Sequence, residues 1–442
     1  MELKARIMGH LLVVSLALNL GFVYRDYSIG KHRQAEDYLG NENECKNSCR
    51  VAKRDAHYVE KAVLEDRSSA LDDEVIDLDL GDPTMYEKYW KQMGDKTTVV
   101  IPGWRFISYF SDVKNICFFL ESELADAIVR LHKLVGNAVT QGRSIVVGTG
   151  STQLIQALFY ATSPANSSEP VSVVSAAPYY SAYPSFANYL KSGLYEWGGN
   201  AHKFKGNKPY IEIVTSPNNP DGSLREAVVK NKQAGILIHD LAYYWPQYTS
   251  ISSPADHDIM LFTVSKCTGH AGTRLGWALI KDEEIAKKMT EFMVINTIGA
   301  SKESQVRGAK ILQAVADSHE NNRGSTKSEE SNSFFEHSFN LMAHRWKILS
   351  NAVNQGNIFS LPQFPSGECS FSRRTFATQP AFAWLKCEGE IDDCERFLRK
   401  HKIISKGGNY FGDSPKYTRI SVLPRHHVFE NLVHRLSTIS SS

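Results

Sequence analysis

The stretch that decides the fold reads Asp258-Ile-Met-Leu-Phe-Thr-Val-Ser-Lys266-Cys-Thr-Gly-His-Ala-Gly-Thr-Arg274-Leu-Gly-Trp-Ala-Leu-Ile-Lys281. Two apolar runs, residues 259–262 and 275–280, flank a glycine-broken turn and predict two strands. Lys266 stands at the end of the first run, where an ammonium group is costly unless it is neutralised or bonded. A Schiff base to a carbonyl group would neutralise it, and Arg274 could then bind a phosphate on the same compound. The alternative is a surface lysine and a surface arginine on two edge strands.

Further apolar runs extend the predicted sheet on the N-terminal side of this stretch. They are residues 144–148, 171–175, 210–214 and 235–239. Their almost continuous hydrophobicity is typical of parallel strands that are covered on both faces, and residues 153–161 and 283–295 have helical spacing. The pattern predicts an α/β fold, with a large domain whose mostly parallel sheet is sandwiched by helices and a smaller α+β domain after it.

We divide the chain into parts on this basis. Residues 74–320 form mainly the large domain, and their first part, residues 74–118, is an aromatic-rich segment near the substrate site. Residues 321–442 form the small domain. Residues 26–73 are polar and charged without sustained apolar periodicity, which predicts a linker. Residues 317–333 include no apolar side chain and predict a surface loop.

An apolar run at the N-terminus predicts a membrane anchor. Residues 7–24 follow Lys4 and Arg6 and are closed by Arg25. The run is just long enough to cross a bilayer, and no small-residue cleavage site is obvious after it. We therefore expect residues 1–25 to be an uncleaved single-pass anchor in the membrane of the endoplasmic reticulum. A cleaved secretory signal is the alternative.

Charge and cysteine content argue against two classes of function. The 50 basic and 48 acidic residues give a formal net charge of +2, which offers no electrostatic footprint for nucleic acid. The seven cysteines form no metal-like cluster, because the one close pair, Cys45 and Cys49, lacks a second pair to complete four ligands. The odd count is also a poor disulfide framework. We expect neither a nucleic-acid partner nor a structural metal.

Polar residues stand at the ends of four predicted strands. Residues 148–153, Gly-Thr-Gly-Ser-Thr-Gln, lie between a strand and a helix, where free backbone N–H groups suit a phosphate; an ordinary glycine turn is the alternative. Asn219 follows another strand within a Pro/Asn/Gly segment; an ordinary turn without a ligand is the alternative. Asp240 and Tyr243 follow the next, and Lys266 the last. Because ligands bind along the carboxyl edge of such sheets, we expect these residues to form one site.

Three motifs together resemble those of the plant alliinase and tryptophan aminotransferase family, whose members are fold type I pyridoxal-phosphate enzymes. They are Ser-Pro-Asn-Asn-Pro-Asp-Gly at 216–222, His-Asp-Leu-Ala-Tyr-Tyr-Trp-Pro at 239–246, and Ser-Lys-Cys-Thr-Gly-His-Ala-Gly-Thr-Arg-Leu-Gly-Trp-Ala at 265–278. The resemblance spans roughly residues 76–437. Alliinases have a cysteine-dense module before the catalytic body, whereas this chain has only Cys45 and Cys49 there. That difference favours the branch of tryptophan aminotransferase-related proteins.

The resemblance implies pyridoxal 5′-phosphate as the cofactor and Lys266 as the catalytic residue that binds it covalently. It implies that Asp240 pairs with the pyridine nitrogen, and that Asn219 and Tyr243 hydrogen-bond the ring hydroxyl group. Tyr180 is expected to stack on the ring, with Tyr179 as the alternative. The implied phosphate ligands are Gly150, Ser151, Thr152 and Arg274, with Thr263 and Ser265 as weaker candidates.

The resemblance also implies a substrate site. Arg419 is similar to the small-domain arginine that binds the substrate carboxylate; a surface arginine on a strand is the alternative. An aromatic cluster is expected to line the side-chain pocket in part, with residues donated across a homodimer, although core packing would also explain it. The cluster comprises Tyr86, Trp104, Tyr109 and Phe110. A flat apolar slot would suit an indole.

The activity implied is transfer of the amino group of L-tryptophan to a 2-oxo acid such as pyruvate, which gives indole-3-pyruvate on the route to auxin. β-Elimination from an S-alkyl-cysteine sulfoxide is the alternative, because it uses the same Cα carbanion and the same lysine, acid and phosphate site. A catalytically silent, membrane-tethered regulatory protein is a remote third possibility.

Overall fold

The computed structural model describes residues 74–164, 168–230, 235–322 and 333–439. Its helices are α1 (Glu87–Met93), α2 (Ser122–Val135), α3 (Gly150–Thr162), α4 (Tyr183–Tyr189), α5 (Val264–Cys267), α6 (Glu283–Thr297), α7 (Lys302–Asn322), α8 (Phe334–Gln355), α9 (Cys394–Lys400) and α10 (His426–Thr438). Its strands are β1 (Ile76–Asp77), β2 (Ser144–Gly148), β3 (Val171–Ser175), β4 (Tyr195–Asn200), β5 (Tyr210–Thr215), β6 (Gly235–Asp240), β7 (Ile259–Thr263), β8 (Gly276–Ile280), β9 (Phe359–Ser360), β10 (Ser366–Cys369), β11 (Arg374–Ala377), β12 (Phe382–Cys387), β13 (Ile403–Ile404), β14 (Lys406–Gly407) and β15 (Tyr417–Ser421).

The large sheet has the strand order β2-β8-β7-β6-β5-β3-β4. Strands β7, β6, β5, β3 and β4 are parallel, whereas β8 is antiparallel to both β7 and β2. The predicted α/β fold with a mostly parallel sheet is therefore confirmed. The sequence did not predict β4, because Gly198 and Gly199 interrupt its apolar pattern, and the register with β3 shifts at this point.

The antiparallel direction of β8 brings its N-terminal end to the edge where β7 ends. Gly276, the first residue of β8, pairs with Thr263 of β7 on one side and with Gly148 of β2 on the other. The segment between β7 and β8 contains α5, a helix of a single turn. Thr263 caps its N-terminus, because the Thr263 hydroxyl accepts a hydrogen bond from Ser265 N–H (3.2 Å). Residues after β2, after β7 and before β8 therefore meet at one edge.

Helices cover this sheet and contribute to its core. Helices α3 and α6 pack on each other and on β2 and β8, and α2 packs along α7. Trp277 of β8 donates through Nε1 to His132 Nε2 of α2 (3.0 Å), and His132 Nδ1 lies 2.8 Å from Asn137 Oδ1. Burial lowers the pKa of His132 to about 4, so the ring is neutral and Nδ1 donates to Asn137. This polar group is thus satisfied within the core.

A smaller antiparallel sheet follows α8 and has the order β14-β15-β12-β9. Arg419 of β15 pairs with Lys406 of β14 on one side and with Trp384 of β12 on the other. Arg345 of α8 is buried, donates to the Val422 carbonyl (2.6 Å), and so ties the helix to the end of β15. The division of the chain into domains at residue 320 stays a prediction.

The surface loop predicted for residues 317–333 is wrong in its first part. Residues 317–322 continue α7, and residues 323–332 lie outside the described residues. Arg130 of α2 forms ion pairs with Asp317 (2.7 Å) and Glu320 (2.5 Å). These ion pairs contribute to the stability of a polar helix end. The sequence did not predict this end, because it lacks the apolar periodicity of an amphipathic helix.

Cys387 and Cys394 form a disulfide between the end of β12 and the start of α9. This pair could not be predicted, because an odd number of cysteines without clear spacing specifies no pairing. Within the described residues the free cysteines are Cys117, Cys267 and Cys369, all of them buried.

Among the described residues, no helix combines the length and the apolar character needed to cross a membrane. The predicted anchor, residues 1–25, and the predicted linker with Cys45 and Cys49 lie outside the described residues. We therefore correct the predicted membrane localisation, because this finding contradicts it.

Candidate active site

A cavity of about 290 Å³ lies at the edge of the large sheet where β5, β6 and β7 end. The small sheet closes it from the other side with Phe382, Lys406 and Arg419. Many of the residues predicted for the site line it: Ser151, Thr152, Tyr180, Asn219, Asp240, Tyr243, Thr263, Ser265, Lys266, Arg274 and Arg419. The structure thus brings together residues that are far apart in the sequence. In the described part of the chain, no group of three or more His, Cys, Asp or Glu side chains is placed to hold a metal ion.

Lys266 supplies the amine of this cavity. It follows β7 in the short helix α5, and its Nζ donates a hydrogen bond to the Gly81 carbonyl oxygen (2.7 Å). Burial lowers the pKa of Lys266 to about 8, and the positive charges of Arg419 and Arg274 act in the same direction. A substantial fraction of this amine is therefore neutral, and thus nucleophilic, near neutral pH.

We expect the reactivity of Lys266 toward a small amine reagent to rise with pH around a midpoint near 8. At about pH 7.5 its neutral fraction is roughly 200 times that of a lysine with an ordinary pKa of ~10.4. Reductive methylation at a series of pH values, with each lysine quantified by mass spectrometry, measures this midpoint. A midpoint for Lys266 at or above ~10.4, the ordinary value for a lysine, would contradict the expectation.

Asp240 is the buried acid of the cavity and the last residue of β6. Its Oδ2 accepts a hydrogen bond from the Tyr183 hydroxyl (2.8 Å), and its Oδ1 accepts one from the Ala242 N–H (3.2 Å). Burial raises the pKa of Asp240, whereas these hydrogen bonds and the charge of Lys266 oppose the rise. A carboxylate in this position is suited to pair with a cationic or N–H group of a ligand.

Arg419 is the buried cation of the cavity. Its Nη1 donates to Asn219 Oδ1 (3.0 Å), its Nη2 donates to the Asp79 carbonyl oxygen, and its Cζ lies 4.1 Å from the centre of the Phe382 ring. Burial lowers the pKa of Arg419 from its usual value. Its Nε has no hydrogen-bond partner among the described residues. A buried guanidinium group with a spare donor favours an anionic ligand.

Tyr243 adds a neutral hydroxyl group next to this cation. Burial raises the pKa of Tyr243 above its usual value, and the charge of Arg419 opposes that rise only in part. The phenol therefore stays protonated and can donate a hydrogen bond to a ligand oxygen.

The opposite end of the cavity combines a helix N-terminus with a guanidinium group. Helix α3 begins at Gly150 directly after β2, and Ser151 and Thr152 in its first turn line the cavity. Arg274 lies so close to Gly150 that a Cβ there would be 2.6 Å from Arg274 Nη2. Unpaired N–H groups, hydroxyl groups and a positive charge at one point are the features that bind a phosphate.

We expect Gly150→Ala to weaken binding of a phosphate ester such as pyridoxal 5′-phosphate about tenfold. Gly150 has φ +72°, so an L residue is strained there, and the new Cβ would displace the Arg274 side chain. Gly142→Ala is the matched control, because Gly142 has φ +69° and a Cβ added there would meet no atom within 4 Å. Both variants should lose roughly 1–2 kcal/mol of unfolding free energy. An equal affinity for both would contradict the role of the Gly150 contact.

The two candidate stacking tyrosines separate in the structure. Tyr180 lines the cavity and meets Tyr183 edge to face, with 5.3 Å between ring centres. Tyr179 packs instead against Trp197 (4.9 Å), outside the cavity lining. The placement favours Tyr180 over Tyr179.

Two residues predicted for substrate binding, Tyr86 and Tyr109, do not line the cavity of their own chain. Tyr86 is buried against Phe334, with 5.2 Å between ring centres, and burial raises its pKa to about 12. Tyr109 is 65% exposed on the surface. One ring thus belongs to the core of its own chain and the other faces solvent, so a role of these residues in substrate binding across a dimer stays a prediction.

His270 and Cys267, which flank the lysine, take no part in the cavity. Burial lowers the pKa of His270 to about 4, and its ring packs on Trp90 (4.5 Å). Burial raises the pKa of the Cys267 thiol well above its usual value. His270 is therefore a packed neutral ring and Cys267 a packed neutral thiol.

The sequence did not single out several residues that form the site. They are Leu80, Gly81, Tyr183, Thr215, Phe382 and Lys406. Tyr183 had one local signal, because it lies only three residues after Tyr180, a residue already assigned to the site. Lys406 had none, since only the pairing of β14 with β15 places it beside Arg419.

Comparison with known proteins gives consistent results. A family model described as Allinase matches residues 76–440. Tryptophan aminotransferase-related protein 2 of Arabidopsis thaliana is 59% identical over 372 residues, which cover 84% of this chain and 83% of that protein. Alliin lyase of Allium cepa var. aggregatum is 38% identical over 370 residues, which cover 81% and 80%. The structure of an aminotransferase from Staphylococcus aureus has a TM-score of 0.58 at 17% identity, covers 82% of this chain and 93% of its own, and shows likeness of fold alone.

Proposed function

The chain belongs to the Allinase family, and we propose that it is a pyridoxal 5′-phosphate-dependent aminotransferase that acts on L-tryptophan. The observation that supports this best is the position of Lys266, whose pKa is about 8, in one cavity with the buried Asp240 and Arg419. A nucleophilic amine, an acid and a carboxylate-binding cation are the groups that amino-acid chemistry with this cofactor needs.

The side chains that line the cavity have the chemistry that each part of the cofactor requires. The N-terminus of α3 and Arg274 would hold the phosphate, and Tyr180 would lie against the ring. Asp240 would pair with the ring nitrogen, and Asn219 and Tyr243 would bind the ring hydroxyl group. Lys266 would bind its carbonyl carbon covalently. When bound, the cofactor supplies an electron sink for the negative charge that develops on the substrate Cα.

Two residues of the chain, Arg419 and Lys266, would act on the substrate itself. The guanidinium group of Arg419 would bind the α-carboxylate as a two-point donor and fix the orientation of Cα. Lys266 Nζ, once released, would take the proton from Cα as the general base. Asp240 would remain ionised and hold the ring nitrogen. The overall exchange converts L-tryptophan to indole-3-pyruvate and a 2-oxo acid such as pyruvate to its amino acid.

The choice of tryptophan rests on two observations. Leu80 and Phe382 give the cavity an apolar surface that suits an indole ring. The chain is 59% identical to a tryptophan aminotransferase-related protein and 38% identical to an alliin lyase. We therefore favour amino transfer over β-elimination, with indole-3-pyruvate, a compound on the route to auxin, as the product.

Two incubations of the purified chain with pyridoxal 5′-phosphate test this proposal. The first contains L-tryptophan and pyruvate and should give indole-3-pyruvate and alanine in equal amounts. The second contains an S-alkyl-cysteine sulfoxide without a 2-oxo acid and should give little pyruvate. Pyruvate from the second, with no indole-3-pyruvate in the first, would establish the C–S lyase activity instead. No product in either would favour a silent protein.

We also propose that the chain forms a homodimer through the segment between α1 and α2. This segment exposes large apolar side chains: Val100, Trp104, Ile107, Tyr109, Phe110 and Val113. Ile107 is 83% and Trp104 74% exposed, and so many exposed large apolar side chains in one segment favour an interaction surface. A second copy would cover them and could bring Tyr109 to a neighbouring cavity. Sedimentation of Ile107→Glu against the wild-type chain tests this, and a wild-type monomer would refute it.

A further inference from the structure

Tyr183 is a buried tyrosine whose hydroxyl group joins two neighbouring strands at the edge of the cavity. It is the first residue of α4, and its side chain is fully enclosed. Its hydroxyl oxygen lies 2.8 Å from Asp240 Oδ2 and 2.6 Å from Thr215 Oγ1. Thr215 and Asp240 are paired residues of β5 and β6, so the phenol bridges the two strand ends.

The chemistry of the three groups fixes the direction of these hydrogen bonds. An ionised carboxylate only accepts, so Tyr183 must donate its single hydrogen to Asp240. The Thr215 hydroxyl must then donate to the Tyr183 oxygen. The result is a relay in which Thr215 donates to Tyr183 and Tyr183 donates to Asp240. Both donations stabilise negative charge on the acid.

We propose that Tyr183 is a positioning residue that keeps Asp240 ionised and oriented for the nitrogen of a bound pyridine ring, with Thr215 as its hydroxyl partner. This inference rests on the proposed cofactor, because only a protonated ring nitrogen needs an ionised acid at this place.

The surroundings of Asp240 leave this task to Tyr183. Burial favours the neutral acid, and the hydrogen bond from Tyr183 is the largest influence against it, ahead of the Ala242 N–H and the charge of Lys266. Burial and the charge of Asp240 raise the pKa of Tyr183 well above its usual value, so the phenol stays a donor. The titratable groups whose charges interact with Asp240 are Tyr180 after β3, Tyr183 on α4, Tyr243 after β6 and Lys266 on α5.

The ring of Tyr183 has a separate packing role, which the experiment must preserve. It meets Tyr180, the residue expected against the cofactor ring, edge to face at 5.3 Å. Tyr183→Phe removes only the hydroxyl group and keeps this contact. Tyr195→Phe is the matched control, because Tyr195 is a buried tyrosine on β4 that packs on Phe159 and does not line the cavity.

The probe is 4-deoxypyridoxine 5′-phosphate, which has the ring nitrogen and the phosphate but no aldehyde to react with Lys266. Its dissociation constant is measured against pH for the wild-type chain and both variants. Loss of the Tyr183 donor raises the pKa of Asp240, so binding should be lost at higher pH on acidification. We expect the midpoint for Tyr183→Phe to move up by about one pH unit, with roughly tenfold weaker binding below it. Tyr195→Phe should match the wild-type chain.

Two further variants separate this role from a structural one. Thr215→Val should raise the pH midpoint of probe binding by less than Tyr183→Phe does, because Tyr183 can still donate to Asp240. If Tyr183→Phe does not fold, the shift caused by Thr215→Val tests the inference instead. In an Asp240→Asn background, Tyr183→Phe should cause no shift of the midpoint. A persistent shift in that background, or equal weakening by Tyr183→Phe at every pH, would overturn the inference.

The binding data distinguish failure of this inference from failure of the proposed cofactor. Coincident midpoints for the wild-type chain, Tyr183→Phe and Thr215→Val would overturn the inference alone. A wild-type chain that does not bind the probe would overturn the proposed cofactor and the inference with it.

Discussion

Lys266→Ala is expected to abolish turnover and the visible absorbance of the lysine-bound cofactor. The variant loses both the proposed covalent attachment point and the proposed base for the Cα proton, so the rate should fall by about 10⁴-fold or more. The phosphate end of the cavity, at α3 and Arg274, remains intact. The variant should therefore still bind pyridoxal 5′-phosphate, but without the spectrum of a covalent adduct. Absorbance after dialysis and steady-state assays measure the two effects.

Chemical trapping locates the attachment point directly. Borohydride reduction of the wild-type chain with its cofactor, followed by proteolysis and mass spectrometry, should place the label on Lys266. Lys281→Ala is the control, because Lys281 lies in the same stretch but is on the surface, in an ion pair with Asp258 (3.4 Å). That variant should keep both the spectrum and the activity. A label on another lysine, or an unchanged spectrum for Lys266→Ala, would contradict the assignment.

The residues at strand ends could be predicted because the sheet itself could be predicted. Apolar runs located β5, β6 and β7, and the carboxyl ends of parallel strands share an edge. Asn219, Asp240 and Lys266 follow directly from that rule. The direction of β8 does not follow from that rule, because an apolar run in the sequence does not tell whether a strand is parallel or antiparallel to its neighbour. The structure shows that β8 is antiparallel to β7, and this direction is what brings Arg274, already assigned to the phosphate, to the same edge.

Contacts between residues that are far apart in the sequence could not be predicted. Asp79 accepts from Arg419 and Gly81 accepts from Lys266, yet no local pattern links residues so far apart. The resemblance implied a role for Arg419, whereas the neighbouring Lys406 had no motif to mark it.

The sequence also did not predict which aromatic side chains are buried and which are exposed. Tyr86 and Tyr109 belong to one aromatic-rich segment, but the first packs in the core and the second faces solvent. Composition identifies such a segment and tertiary packing decides which rings it exposes. The same packing explains why Tyr180 rather than Tyr179 reaches the cavity.

Arg419→Met is expected to reduce kcat/KM for L-tryptophan by about 10²–10³-fold, mainly through KM. Removal of one partner from a buried, hydrogen-bonded charge pair costs roughly 2–5 kcal/mol. Methionine keeps much of the apolar volume against Phe382, which lies 4.1 Å from the guanidinium carbon in the wild-type chain. Affinity for the cofactor should change much less, because the phosphate end of the cavity is formed by other residues.

Two further arginine variants show whether the loss comes from two-point binding of the carboxylate. Arg419→Lys keeps the charge but not the planar pair of donors, so its kcat/KM should lie between those of the wild-type chain and Arg419→Met. Arg425→Met removes a surface arginine that pairs with Glu87 (2.6 Å), and it should leave KM unchanged. Steady-state kinetics with L-tryptophan, and with tryptamine as a substrate analogue without the carboxylate, measure the effect. If Arg419→Met weakened tryptamine binding as much as tryptophan binding, the arginine would serve the architecture of the cavity rather than the substrate carboxylate.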